Sequence, residues 1–321
     1  MMDDCRQILE WLAWRDERLA TYDPPADDGQ QPTNLPPGPR VDALVVHGCS
    51  FTSVPLGAAD LFIDVLHPAG CRNVIITGGI GRETPPLWDE LAARGLCTLF
   101  GWDQPWVRGR PPAHVDLRSQ GNKRKPVLEG FDLEMKAEEL RAHCTEADVF
   151  FELFAARCTS RGLNVTFAGN PMETQSRGGM RSGHNMMAAS KDDDTRVFLE
   201  NASTHTGTNV EYTRSTLAAI GLGPSVDVAV VQQPQLQRRT CLTWEKQTGK
   251  RPVGWTVRPT EAATAGHSVA ELLKYALGEV QRIPVYAAAD KAFCVLRDDF
   301  PHELVPSLLA FEPVIRAQLE E

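Results

Sequence analysis

The fold is decided by Val41-Asp42-Ala43-Leu44-Val45-Val46-His47-Gly48 and by Asn73-Val74-Ile75-Ile76-Thr77-Gly78-Gly79-Ile80-Gly81 further along the chain. Each is a short, continuous apolar run that stops at glycine, the pattern of a strand covered on both faces. Between them, Leu56 to Leu66 reads as a helix, and strand, helix, strand in that order is a parallel βαβ unit. The same grammar returns downstream. Arg196 to Leu199 reads as a strand ending at Glu200, Gly207 to Ile220 as a helix, Val226 to Val231 as a strand and Leu236 to Gln247 as a helix. A mainly parallel sheet with helices on both faces is expected.

Working outward, Ile8, Leu9, Trp11, Leu12 and Leu19 predict a short amphipathic helix, followed by a Pro-rich strap over Tyr22 to Pro39. Phe131 to Cys158 reads as a helix with Glu146, Phe150, Leu153 and Phe154 on one face. Arg108 to Lys125 reads as a basic loop, and Leu163 to Asp194, rich in Gly, Ser, Asn and Asp, as an insertion loop outside the core. The tail predicts a helix through Val269, Leu272, Leu273, Ala276 and Val280, a short strand near Phe293 to Leu296, and a last helix carrying Leu304, Leu308, Phe311 and Ile315. The organisation expected is 1–40 as helix and strap, 41–258 as the α/β domain with its insertion at about 163–194, and 259–321 as a helical extension packed on that domain.

The 321 residues are 42% hydrophobic and 23% charged, ample for a sizeable core. A net charge of −9 lacks the basic balance of a duplex nucleic-acid binder. No apolar run suits a membrane span, and the charged N-terminus contains no secretory apolar region. The eight cysteines include no C-x-x-C pair and no zinc-type cluster, so they read as reduced thiols, with no metal site and a cytoplasmic location expected.

In an open parallel sheet ligands bind beyond the strands' carboxyl ends, and the polar clusters of this chain fall there. Gly48 follows the first strand and Gly78, Gly79 and Gly81 the second. Glu200, Ser203, Thr204, His205, Thr206, Thr208 and Asn209 follow the third, and Gln232, Gln233 and Pro234 the fourth. Glycine permits close backbone approach, and free amides at a helix start favour an anion. One helix cap explains one hydroxyl of the Ser203 to Asn209 cluster, not all of them. Arg238 and Arg239 stand in an early helical turn, where the helix dipole disfavours cations, so an acidic partner or an anionic ligand is expected. Glu146 reads either as a partly buried carboxylate with a partner or as a helix-boundary residue, and His205 as an exposed loop residue or an acid/base group.

Taken together, Gly78-Gly79, Glu146-Ala147, the Glu200/Ser203/Thr204/Gly207/Asn209 stretch and Gln232-x-Pro-x-x-x-Arg-Arg-Thr over 232–240 resemble the SanA/YdcF-like domain family, closest to its YdcF branch. Weaker similarity covers Gln7 to Ala13 and Leu296 to Pro301. The resemblance implies a Rossmann-like three-layer α/β/α sandwich with a C-terminal helical addition. It also implies a pocket formed by Gly48, Gly78, Gly79, Gly81, Glu146, Glu200, Ser203, Thr204, Asn209, Pro234, Arg238 and Arg239. A small molecule is the implied partner, with S-adenosylmethionine or a nucleotide-like compound as ligand class. Leu236 stands where the wider family often has His, removing one base, and His205 stands where Asn is common. Three readings stay open. One is a group-transfer enzyme with Glu146 or Glu200 as base and the arginines holding an anionic group. The others are a non-catalytic ligand sensor and a phosphate-ester or pyrophosphate hydrolase on the same scaffold.

Overall fold

A computed structural model describes residues 2–24, 37–79, 84–93, 145–171, 195–258, 269–288, 293–310 and 312–320. The strands are β1 (Ala43–His47), β2 (Asn73–Thr77), β3 (Val165–Gly169), β4 (Thr195–Glu200), β5 (Val228–Val231) and β6 (Val253–Trp255). They form a six-stranded sheet in the order β3-β4-β2-β1-β5-β6. The helices are α1 (Met2–Leu12), α2 (Ser53–Leu61, running into a π-helical turn at Phe62–Leu66), α3 (Thr84–Ala93), α4 (Glu146–Ser160), α5 (Thr206–Ala219), α6 (Pro234–Thr248), α7 (Val269–Ala288), α8 (Val305–Ala310) and α9 (Glu312–Glu320). The fold is the expected α/β, Rossmann-like arrangement. The chain moves one way across the sheet from β1 through β2 to the edge strand β3, and turns back there to lay down β4. By the right-handed rule for parallel crossovers, α5 is expected on the face opposite α2 and α4.

Two compact units divide the chain, one made of Pro24–Val228 and the other of Met1–Asp23 with Ala229–Glu321. In the first, β1 and β2 pair in parallel from Ala43↔Asn73 to His47↔Thr77, and β2 pairs with β4 from Asn73↔Arg196 to Thr77↔Glu200. Every residue of β1 and β2 is buried, which accounts for their unbroken apolar sequence. α2 and α4 are clamped by ions as well as by Phe62 and Phe154. Arg157 donates to Asp60 at 2.9 Å, and Arg161 reaches Asp60 at 2.7 Å and Asp64 at 2.8 Å, all with little exposed side chain.

Val165–Gly169 and Phe293 to Leu296 depart from expectation, and α3 and β6 were not expected at all. Val165–Gly169, read as the start of an insertion loop, is a strand that pairs in parallel with β4. It lies at the sheet edge with Thr166, Phe167 and Ala168 exposed, so it lacks the buried apolar signature by which strands are recognised. Residues 172–194 of that stretch, the basic loop at 108–125 and the 131–144 part of the expected helix lie outside the described residues. Phe293 to Leu296 is not a strand; Phe293 and Val295 instead donate backbone bonds to Tyr286 and Leu242, and the segment runs on irregularly.

In the second unit β5 and β6 pair in parallel, from Ala229↔Val253 to Val231↔Trp255. Helix α1 belongs to this unit, and Ile8 and Leu12 share an apolar core with Leu273, Ala276, Val280, Ile283, Phe300 and Ile315. Among the described residues no helix is long and apolar enough to cross a membrane. The described cysteines are unbridged and buried, and burial pushes the thiols of Cys71, Cys158 and Cys241 up to about 12.

Candidate functional site

The carboxyl ends of the first unit's strands carry a polar row. His47, Thr77 and Glu200 are register partners on β1, β2 and β4, so their side chains share one face of the sheet. All three are buried. Thr77 donates its hydroxyl to Glu200 Oε2, and Glu200 Oε1 accepts the N–H groups of Ala202 at 2.7 Å and Ser203 at 2.9 Å. Burial nevertheless outweighs these bonds and raises the Glu200 carboxyl above its ordinary value. Burial likewise pushes the His47 imidazole down to about 3, so it is neutral. His47 escaped the sequence reading as a site residue. Its signal was a single polar side chain ending an apolar strand.

The paired glycines occupy the centre of this end. Gly78, at φ +145, donates to Glu200 O at 2.8 Å, and Gly79 donates to Ser203 O at 2.7 Å. Their carbonyls accept from Ala147 at 2.8 Å and Glu146 at 3.1 Å, the first amides of α4. The glycine amides are therefore committed within the protein and do not cradle an anion. The close approach is made to protein atoms. A Cβ on Gly79 would stand 2.8 Å from Asn201 O, one on Gly78 2.9 Å from the Glu146 Cβ, and one on Gly48 2.8 Å from the same Cβ. Glu146 combines its two expected characters, since it opens α4 and is a buried carboxylate whose Oε1 accepts from Thr84 Oγ1 at 2.8 Å.

The hydroxyl cluster resolves into two structural jobs. Ser203 serves the Glu200 turn, its Oγ lying 3.3 Å from Thr77 Oγ1. His205 is the N-cap of α5, with Nδ1 accepting from Thr208 N–H at 3.3 Å, while Thr208 Oγ1 accepts from Thr204 N–H at 3.2 Å and His205 N–H at 3.3 Å. Reciprocal capping thus uses His205 and Thr208, more of the cluster than one hydroxyl. Asn209 is buried one turn into α5. The structure brings Gly48, Gly78, Gly79, Glu146, Glu200 and Ser203 together, with Thr204 and Asn209 at the adjoining helix start. Gly81 lies outside the described residues.

Pro234, Arg238 and Arg239 belong to the second unit, at the junction of β5 and α6. Arg238 is ion-paired to Asp299, and Arg239 to Glu279, which also accepts from Arg282 at 3.0 Å. Both arginines have acidic partners. Neither partner is Glu146 or Glu200, and with these acids in place the two arginines no longer call for an anionic ligand.

The glutamines beside them behave in two ways. Gln237 Oε1 accepts from Gln232 N–H at 2.8 Å and its Nε2 donates to Val230 O at 3.0 Å, while Gln232 Oε1 accepts from Gln233 N–H at 2.8 Å. These two pin the turn. Gln233, the N-cap of α6, and Gln235, in its first turn, are fully buried, yet Oε1 and Nε2 of both side chains have no hydrogen-bond partner among the described residues. Gln235 was missed in the sequence, where only the crowding of Gln around Pro234 signalled it. Neither a family model nor a curated protein matches this chain.

Proposed function

We propose that this chain binds a small molecule at the carboxyl end of β5 through the Gln233 and Gln235 carboxamides. The observation that carries the reading is the pair of buried, unbonded side chains. Each buried polar group left without a partner costs roughly 1–3 kcal/mol, and native interiors rarely keep such atoms. A ligand with adjacent donors and acceptors would satisfy them. A carboxamide presents one donor group and one acceptor side by side, which fits the edge of a nucleobase, adenine above all. The adenosyl part of S-adenosylmethionine belongs to this class and makes it the first compound to test, in line with the resemblance to YdcF-like proteins. Charge recognition is not part of the proposal, because Arg238 and Arg239 are neutralised by Asp299 and Glu279.

The reading is of binding, without a reaction. Glu146 and Glu200 were the expected bases, and both accept bonds from the protein's own donors. Calorimetry with adenine, adenosine and S-adenosylmethionine tests the proposal. Binding by the wild type, weakened at least about tenfold in Gln233→Leu and Gln235→Leu, is expected. No heat with any of the three, together with higher melting temperatures for the leucine variants, would show that the carboxamides are only a stability defect.

A further inference from the structure

A second feature of the Met1–Asp23/Ala229–Glu321 unit lies away from the glutamines and uses a different chemistry. Four guanidiniums, those of Arg18, Arg238, Arg251 and Arg297, share one charged neighbourhood with Asp16, Asp299 and Glu245. Three are paired. Arg18 bonds Asp16 at 2.7 Å, Arg238 bonds Asp299, and Arg297 bonds Glu245 at 2.9 Å. Among the described residues Arg251 makes no salt bridge and donates no hydrogen bond; Glu245, Asp16 and Asp299 act on it only at longer range, and its guanidinium stacks 4.0 Å from the centre of the Trp14 ring.

The stack is built rather than incidental. Arg238 lies 4.6 Å from the Trp11 ring and 5.8 Å from the Trp14 ring. Gly254 packs so closely on Trp14 that a side chain there would collide with the indole, and Asp16 N–H donates to Gly254 O at 2.8 Å just beyond it. Trp14 is therefore held in place before any ligand arrives. Covering a guanidinium's face with an aromatic ring leaves its edge donors pointing outward in one plane, the arrangement that grips an oxyanion bidentately. Crowding is visible in the charges: burial, then Arg297 and Arg238, lowers the affinity of Arg251 for its proton. Four guanidiniums against three carboxylates leave the half-buried cluster one positive charge in excess, and Arg251 is the member without a salt bridge.

We propose that Arg251, held on Trp14 and flanked by Arg297 and Arg238, is a binding site for the phosphoryl group of a small molecule. A phosphoryl group is favoured over a carboxylate because three carboxylates already stand in the cluster and leave this guanidinium without a salt bridge, whereas a dianion offers more charge and more acceptor oxygens to its free fork. The site is independent of the Gln233 and Gln235 reading.

Calorimetry on the full chain with inorganic phosphate, pyrophosphate and acetate decides it. Pyrophosphate and phosphate should bind, with acetate at least about tenfold weaker. Arg251→Gln should weaken pyrophosphate at least about tenfold and leave adenosine binding unchanged, so the two proposals fail separately. Arg251→Lys keeps the charge but loses the planar fork, and should also weaken pyrophosphate several-fold. If Arg251→Gln does not fold, the affinity of Arg251→Lys settles the matter alone. Absence of pyrophosphate binding at millimolar concentration, acetate binding as tightly as phosphate, or wild-type affinity in the folded Arg251 variants would overturn the proposal.

Discussion

At Gly79 the absence of a side chain is a packing requirement, since an added Cβ would meet the Asn201 and Ser203 carbonyl oxygens, which belong to backbone that cannot swing aside. Gly79→Ala should cost roughly 1–3 kcal/mol in urea unfolding, the range for overpacked sites, without any ligand being present. His47 supplies a prediction of a different kind. Its imidazole is held neutral by burial, titrating at about 3 in the folded chain against 6.5 in the unfolded one. Between those values the unfolded state takes up a proton that the folded state refuses. His47 therefore lowers stability as pH falls below 6.5, by about 1.4 kcal/mol per pH unit until about pH 3. Unfolding midpoints at pH 7.5, 6 and 5 should fall less steeply in His47→Gln than in the wild type; equal slopes would show that another group governs the acid limb. The glycine pair was legible in the sequence, but its purpose was not. Glycine looks the same whether the close neighbour is a ligand or Glu146.

At the level of elements, the strands that could be read were the ones whose two faces are covered. β1, β2 and β5 announce themselves by continuous apolar residues and β4 by Val197 to Leu199, while β3 at the exposed edge and β6, three residues long, carry too little pattern to be seen. Ionic pairing between helices was invisible for another reason, because Asp60 and Arg157 are 97 residues apart. That clamp is testable. Asp60→Asn removes the charge shared by Arg157 and Arg161 where all three side chains are largely buried, and should destabilise the protein by about 3–5 kcal/mol. A loss under about 1 kcal/mol would mean that the clamp is solvated like an ordinary surface pair.

For the molecule as a whole, the expected division into a strap, an α/β domain and a packed extension followed the order of the chain, whereas the compact units do not. The first helix shares a unit with the last ninety or so residues, and the core it joins includes Leu273, Phe300 and Ile315. Amphipathic spacing revealed the buried face of α1 but not its destination, just as the position of Arg238 and Arg239 called for either acids or an anionic ligand without showing that Asp299 and Glu279 pair with them. Ile8→Ala should cost roughly 2–5 kcal/mol, as for other large-to-small changes in a core, and a scan that resolves two transitions should show the loss in only one of them. Because the other unit is inserted between the two pieces of this one, α1 emerges during synthesis about two hundred residues ahead of the partners that bury Ile8 and Leu12. For that interval its apolar face is exposed on a nascent chain, which makes α1 a segment that a ribosome-associated chaperone would need to cover.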